Sequence, residues 1–259
     1  MKYLAGAAAL ASAFVLAGAA VADTTGNVLT LYPAGGGSNT YAAWKAQEGR
    51  PDSQGTANQA LYLQNLTPAP NTAAAAHVTG LEGTPVTALV SLSYEHRAPG
   101  TCSKTDPRWT LFVRGKSGKQ YVVNLGCGLT PGRPTDDPRW FQRIFTQPVI
   151  RAEVLRQTKG TDALAGKVAG LALVMDRTNG SVYLDNVGVR SKTVTKTWTY
   201  AGDNGVVGTT PAFTAEQYAL MAAPIPTDSQ FDEDVLMPSL TPDEQAAIAV
   251  EDWGYESVS

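Results

Sequence analysis

One segment constrains the fold of this chain more than any other. From Thr87 to Arg97, Ala88, Val90, Leu92, Tyr94 and His96 alternate with Ser91, Ser93, Glu95 and Arg97. An apolar/polar period of two is what a β-strand shows when one face of its sheet is buried and the other is wet. A helix with that pattern would scatter its apolar groups around its circumference. The segment is therefore a strand of an antiparallel sheet, and it needs a second layer to cover its apolar face.

Further strands are expected at Val28–Tyr32, Ala60–Leu66, Trp109–Arg114, Gln120–Leu125, Trp140–Gln147, Val168–Asp176 and Ser181–Arg190. Gly and Pro punctuate the stretches between them. Gly115-Lys116-Ser117-Gly118 joins two strands as a hairpin turn, and Arg177-Thr178-Asn179-Gly180 carries the Asn-Gly signal of a second tight hairpin. Many short strands separated by turn residues predict an all-β, two-sheet sandwich or jelly roll.

The ends of the chain read differently. Lys2, the apolar run Leu4 to Ala19 and the small residues around Ala20-Val21-Ala22 form a secretory signal peptide over residues 1–22, too short and wrongly flanked for a membrane span. The sandwich is expected over 23–197. Residues 198–259 read as an acidic tail. From Asp23 to Lys196 there are 19 Lys+Arg and 12 Asp+Glu (+7), and from Thr197 to Ser259 there are 11 Asp+Glu and no cation (−11). Thr214-Ala215-Glu216-Gln217 and Thr241-Pro242-Asp243-Glu244 are capping boxes, the second opening a short helix near 242–252. Basic charge on the body is scattered, with no Lys/Arg run or recognition helix, which argues against nucleic acid. The tail is a candidate contact for a protein partner.

Export makes a disulfide between Cys102 and Cys127 the expected state. The hairpin between them brings their neighbourhoods together, and closing that loop contributes about 3–4 kcal/mol.

Catalytic groups are sparse. The chain has two histidines, His77 and His96, and His96 sits on the face expected to be buried, as a packed core residue. A nucleophile elbow, a phosphate-cradling loop and zinc-ligand spacing are all missing from the sequence. Glu95 and Glu153 are the pair a jelly-roll glycosidase would need to face each other across a cleft. The plainer reading makes Glu95 a solvated, ion-paired surface residue.

A short repeat, Asp106-Pro107-Arg108-Trp109 and Asp137-Pro138-Arg139-Trp140, precedes two strands. If strands 109–114, 120–125 and 140–147 form a meander, both copies lie at one end of the sandwich. The repeat is either a strand-opening device whose Trp packs under a loop, or a ligand face. In the second reading, sugar stacks on Trp109, Trp140, Tyr94 and Trp44 while Arg108 and Arg139 bind hydroxyls.

The run Ser181-Val182-Tyr183-Leu184-Asp185-Asn186-Val187-Gly188-Val189 closes the strand-rich region. Its Leu184-Asp185-Asn186-Val187 resembles the last strand of jelly-roll, galactose-binding-like carbohydrate-binding modules. The resemblance spans Val28 to Val194 loosely. It implies a secreted, non-catalytic module that binds polysaccharide outside the cell or at its surface. It also implies a structural calcium held by Asp185 with Glu48, Asp52 and carbonyls of 47–58. Asp185 stands among apolar residues and needs a partner, either a cation or backbone N–H donors. The alternative to glycan binding is a structural or adhesive surface protein assembling through sandwich and tail.

Overall fold

A computed structural model describes residues 29–36, 39–51, 58–66, 72–177 and 179–201. The expected signal peptide, the tail beyond Ala201 with its helix near 242–252, and Asp52 lie outside the described residues. What is described is an all-β, antiparallel jelly-roll sandwich. One sheet has the order β1(Thr30–Gly36), β4(Ala73–Thr79), β10(Lys167–Met175), β6(Arg108–Arg114), β7(Gln120–Gly126). The other has the order β2(Thr40–Lys45), β3(Ala60–Asn65), β11(Gly180–Ser191), β5(Leu89–Arg97), β9(Trp140–Thr146), β8(Arg133–Pro134), with β12(Thr195–Trp198) also paired to β11.

The core lies between the sheets. Leu31, Ala76, Val78, Trp109, Leu111 and Leu173 from the first sheet meet Leu61, Leu63, Leu92, Tyr94, Val182 and Leu184 from the second. Within β5 the expected inward residues Leu92, Tyr94 and His96 are buried. The alternation breaks at the start of the strand, where a register shift opposite Arg190/Ser191 turns Leu89 inward. A single α-helix among the described residues, α1(Gln147–Thr158), sends Ile150, Val154 and Leu155 into this core and packs on β5, β7 and β9. Pro148 in its first turn is pre-set for a helix, and Lys159 ends it in the left-handed conformation at φ 55°.

Three expectations are corrected. Glu153 lies on α1 and not beside a strand. Strands β6, β7 and β9 do not form a meander, since β6 and β7 pair in the first sheet while β9 pairs with β5 and β8 in the second. The Asn-Gly turn exists, with Asn179 at φ 56° and Gly180 N donating to the Arg177 carbonyl at 3.0 Å. However, it passes the chain from β10 in one sheet to β11 in the other. Each of those strands already has neighbours on both sides, so no hairpin ladder forms between them.

The strand β4 is Ala-rich, a composition that sequence propensity disfavours in sheets. Its place between β1 and β10 holds it in the sheet, and Ala73 to Ala76 are 0–4% exposed.

Candidate functional site

The hairpin β6–β7 sets the first anchor. Arg108 pairs with Gly126, so Cys127 follows directly and reaches Cys102, with the Cα atoms 5.5 Å apart. The disulfide expected from the sequence is formed.

The two copies of the repeat act alike and locally. In each, the Asp binds the Arg two residues on: Arg108 Nη1 to Asp106 Oδ1 at 2.9 Å, and Arg139 Nη2 to Asp137 Oδ2 at 2.7 Å. Each Trp is buried, Trp109 at 0% and Trp140 at 1% exposure. Tyr94 is also at 0%, and its hydroxyl donates to the Pro107 carbonyl at 3.1 Å. Trp44 turns inward and packs on the core. Trp109, Trp140 and Tyr94 present no open face to a ligand and Trp44 is half-buried against the core, so the repeat is a strand-opening clamp. Rings this large are worth most where they exclude water, and the sandwich needs bulk at its ends.

Arg108 is itself buried. It bonds Asp106, Asp176 at 2.5 Å and Asn124 at 3.2 Å. Burial pushes the Asp106 carboxyl up to about 6, against the pull of Arg108. For Asp176 burial pushes the carboxyl up, but the hydrogen bond and charge of Arg108, together with bonds from Asp106 and its own backbone, hold it below the usual range. Arg139 is exposed and keeps the Asp137 carboxyl down at about 2. His96 is the packed core histidine expected: burial and then the charge of Arg143 lower it to about 4, and Arg143 Nε donates to its Nε2 at 3.3 Å.

The second sheet carries the more telling arrangement on its outer face. Ala42 and Trp44, Leu61 and Leu63, Val182 and Leu184, Leu92 and Tyr94 point into the core. The alternate residues of those strands therefore point out: Tyr41, Lys45, Tyr62, Tyr183, Asp185, Glu95 and Arg97. Register then makes neighbours of distant residues. Tyr62 is directly opposite Tyr183, and their ring centroids are 4.6 Å apart. Tyr41 lies 6.0 Å from Tyr62 and is 46% exposed. Lys45 Nζ sits 4.0 Å over the Tyr62 ring, and the Arg97 guanidinium 3.8 Å over Tyr183. Arg97 also donates to Glu48 Oε2 at 2.7 Å. That bond, with a further one from Tyr183, holds the Glu48 carboxyl below the usual range. The result is a three-ring ladder edged by an ammonium, a guanidinium and a carboxylate.

Beside the ladder lies a buried acidic centre. The segment from Glu48 to Arg50 folds over β11, tied by Gly49 N to the Asn58 carbonyl at 2.7 Å. A Cβ on Gly49 would collide with the Gln59 carbonyl and come within 2.8 Å of Asp185 Oδ2, so only glycine permits this approach. Asp185 is 2% exposed. Its Oδ2 accepts from Arg50 N and its Oδ1 from Asn186 N, both at 2.7 Å. A bulge in β11, with Asn186 at φ 46°, aims the side chain into this position. Burial pushes the Asp185 carboxyl up to about 6, nearby Glu95 adds to the rise, and the two N–H donors oppose it. Glu95, expected on the wet face, is 5% exposed and pairs with Arg50 at 2.8 Å. Asp136 pairs with the same guanidinium.

Of the two open readings of Asp185, backbone donors and a cation, the described geometry matches the first. The groups facing it are N–H donors, and the cation beside it is Arg50. Glu48 is engaged by Arg97. Among the described residues these groups satisfy the Asp185 carboxylate, while Asp52 and the carbonyls of 52–57 lie outside the described residues. The one His/Cys/Asp/Glu cluster with metal-like spacing among the described residues is His96, Cys102 and Cys127, whose sulfurs are joined to each other.

Glu95 and Glu153 have separate partners. Glu153, 3% exposed, is bonded by Arg156 at 2.7 Å and Gln157 at 2.6 Å on its own helix, and Gln157 in turn bonds Asn124 of β7 in the first sheet. Glu95 belongs to the second sheet's outer face. Sequence reasoning missed the ladder because its tyrosines are scattered; the signal it could have used was their shared outward parity on three short strands.

The fold and this face define a jelly-roll β-sandwich whose outer face carries a tyrosine ladder, with Tyr41 exposed, Tyr183 half-buried under Arg97 and Tyr62 buried beneath Lys45 at 9% exposure. No family model matches the chain, and no curated protein does. Several solved structures are distantly similar. A family 11 carbohydrate-binding module from Clostridium thermocellum, solved with a β-1,3-1,4-mixed-linked tetrasaccharide, matches at 10% identity and TM-score 0.34, over 63% of this chain and 89% of that one. A β-1,2-glucanase from Parabacteroides distasonis matches at 13% identity and TM-score 0.34, over 62% and 23%. An exo-β-agarase matches at 14% identity and TM-score 0.30, over 62% and 23%.

Proposed function

We propose that the chain is a secreted, non-catalytic carbohydrate-binding module whose glycan lies across Tyr41, Tyr62 and Tyr183. The observation that carries this reading is the ladder itself. Pyranose rings have apolar faces and hydroxyl edges, so they are recognised by flat aromatic surfaces flanked by planar polar groups. The ladder supplies the rings, and Arg97, Glu48 and Lys45 supply the polar edge. Lys45 and Arg97 now cover two rings by cation–π contact, worth about 0.5–1 kcal/mol each at an exposed site. A sugar face would displace Lys45 from Tyr62 and leave its ammonium free for hydroxyls or an acidic group. Export is supported by the disulfide.

Affinity electrophoresis through gels containing soluble β-glucans, agarose or acidic polysaccharides tests it. Retardation by at least one polymer is expected, and Tyr41→Ala with Tyr183→Ala should weaken it roughly tenfold or more, since each ring contributes on the order of 1 kcal/mol. Retardation that survives the double variant places the glycan elsewhere. Cleavage of the bound polymer that is lost on Glu95→Gln or Glu153→Gln overturns the non-catalytic reading.

A further inference from the structure

Cations cap the rings of the tyrosine ladder. Tyr62 lies beneath the Lys45 ammonium and Tyr183 under the Arg97 guanidinium. Lys45 stands over the ladder as a whole, with Nζ 4.0 Å from the Tyr62 centroid, 5.2 Å from Tyr41 and 6.0 Å from Tyr183. Among the described residues no carboxylate comes within ion-pair distance of that ammonium. Arg97 is engaged on one side alone. Its Nη1 donates to Glu48 Oε2 at 2.7 Å and to the Glu48 carbonyl at 3.1 Å, while its Nε and Nη2 have no partner among the described residues. Glu48 spends its carboxylate on Arg97 and the Tyr183 hydroxyl. In the neighbouring acidic centre Glu95, Asp136 and Asp185 are turned on Arg50 and backbone N–H donors.

The ladder is therefore rich in donors and poor in acceptors. Lysine and arginine donate and never accept, whereas each hydroxyl of a neutral sugar does both. The carboxylate at the ladder's edge, which could accept from a hydroxyl, is already taken. A neutral ring that stacks on Tyr62 must push the ammonium aside and forfeits its cation–π contact. An anionic group keeps that contact and pairs with the ammonium from above. Charge agrees, since two cations against one carboxylate leave the ladder net positive.

We propose that the glycan bound at this face is anionic, and that a carboxylate or sulfate of one sugar residue seats against Lys45 Nζ and the open edge of Arg97. The inference rests on the reading that the tyrosine ladder is the glycan site. Both cations lie over the Tyr183 ring, 6.0 and 3.8 Å from its centroid, close enough for one charged sugar to meet both. Arginine suits this role, because its planar fork matches the oxygens of either anion.

Affinity electrophoresis of the full chain in matched gels at neutral pH and low salt tests it: polygalacturonate against its methyl ester, and κ-carrageenan against agarose. The charged member of one pair should bind at least about threefold tighter than its neutral counterpart, and which pair responds tells carboxylate from sulfate. Added salt should shrink the difference. Lys45→Gln should abolish the preference, and Lys45→Arg should keep it. Lys116→Gln makes the same change in net charge on the exposed β6–β7 turn of the other sheet and should also keep it. A cooperative melt certifies each variant as folded. A preference that survives Lys45→Gln, or that falls equally in Lys116→Gln, belongs to the charge of the whole body and overturns the inference. Retardation by neutral polymers alone, or equally by both members of each pair, overturns it too; if Tyr41→Ala with Tyr183→Ala weakens that retardation, the ladder stands as a site for neutral glycan. No retardation by any polymer, those of the ladder test included, removes both readings.

Discussion

Asp185→Asn isolates the energetic cost of the buried acidic centre. The unfolded carboxyl titrates near its ordinary value of 3.8, whereas burial puts the folded one at about 6. Between those values the folded state holds a proton that the unfolded state has lost, so stability falls as pH rises. The difference of about 2 pH units corresponds to roughly 3 kcal/mol, all of it incurred above pH 6 and none below pH 4. The Asn variant has no such titration. It does have a single acceptor for the two N–H groups of Arg50 and Asn186 that now bond Asp185. One donor then faces an NH2, which costs about 1–3 kcal/mol at every pH. The variant should therefore be the less stable protein at pH 4, and should gain about 3 kcal/mol relative to the natural chain by pH 7. Urea unfolding followed by Trp fluorescence at four pH values between 4 and 7 measures this difference. If the stability gap between the two proteins is the same at every pH, Asp185 does not titrate as a buried group and the argument fails.

The remaining expectations concern the supports of the same fold. Arg108→Leu should destabilise the body by about 3–5 kcal/mol, because it strands the carboxylates of Asp106 and Asp176. Arg139→Leu should stay within about 0.5 kcal/mol in the same denaturation assay, since its side chain is exposed, and equal effects would refute the contrast. Replacing Cys102 and Cys127 together by Ser opens a loop of sequence separation 25 and should cost about 3.5 kcal/mol; an unchanged melting temperature would show that the bond contributes nothing. EDTA should leave the melting temperature where it is, given the donors around Asp185, and a fall reversed by calcium would install the cation that the sequence resemblance implied.

The sequence alone located eight of the strands to within a few residues, because period-two alternation and turn chemistry are local properties of the backbone. It also paired the cysteines, since the β6–β7 hairpin fixes both ends of one short loop. It did not show α1, whose signal is a single Pro and a short apolar pattern, nor β4, whose alanines lack sheet propensity.

Whether a ring packs inward or faces solvent was beyond local reading. Trp109 and Trp140 look like platforms in a repeat and turn out to be plugs, whereas three ordinary tyrosines form the ladder. Alternation says only that Tyr41, Tyr62 and Tyr183 each point outward. That they touch depends on which strands are neighbours and in what register, and Tyr62 and Tyr183 are brought face to face by a pairing between distant strands. The partner of Asp185 is Arg50 N, 135 residues away. Contacts of that span are decided by the packing of whole sheets, where the burial of one segment depends on the placement of every other, and only the tertiary structure supplies them.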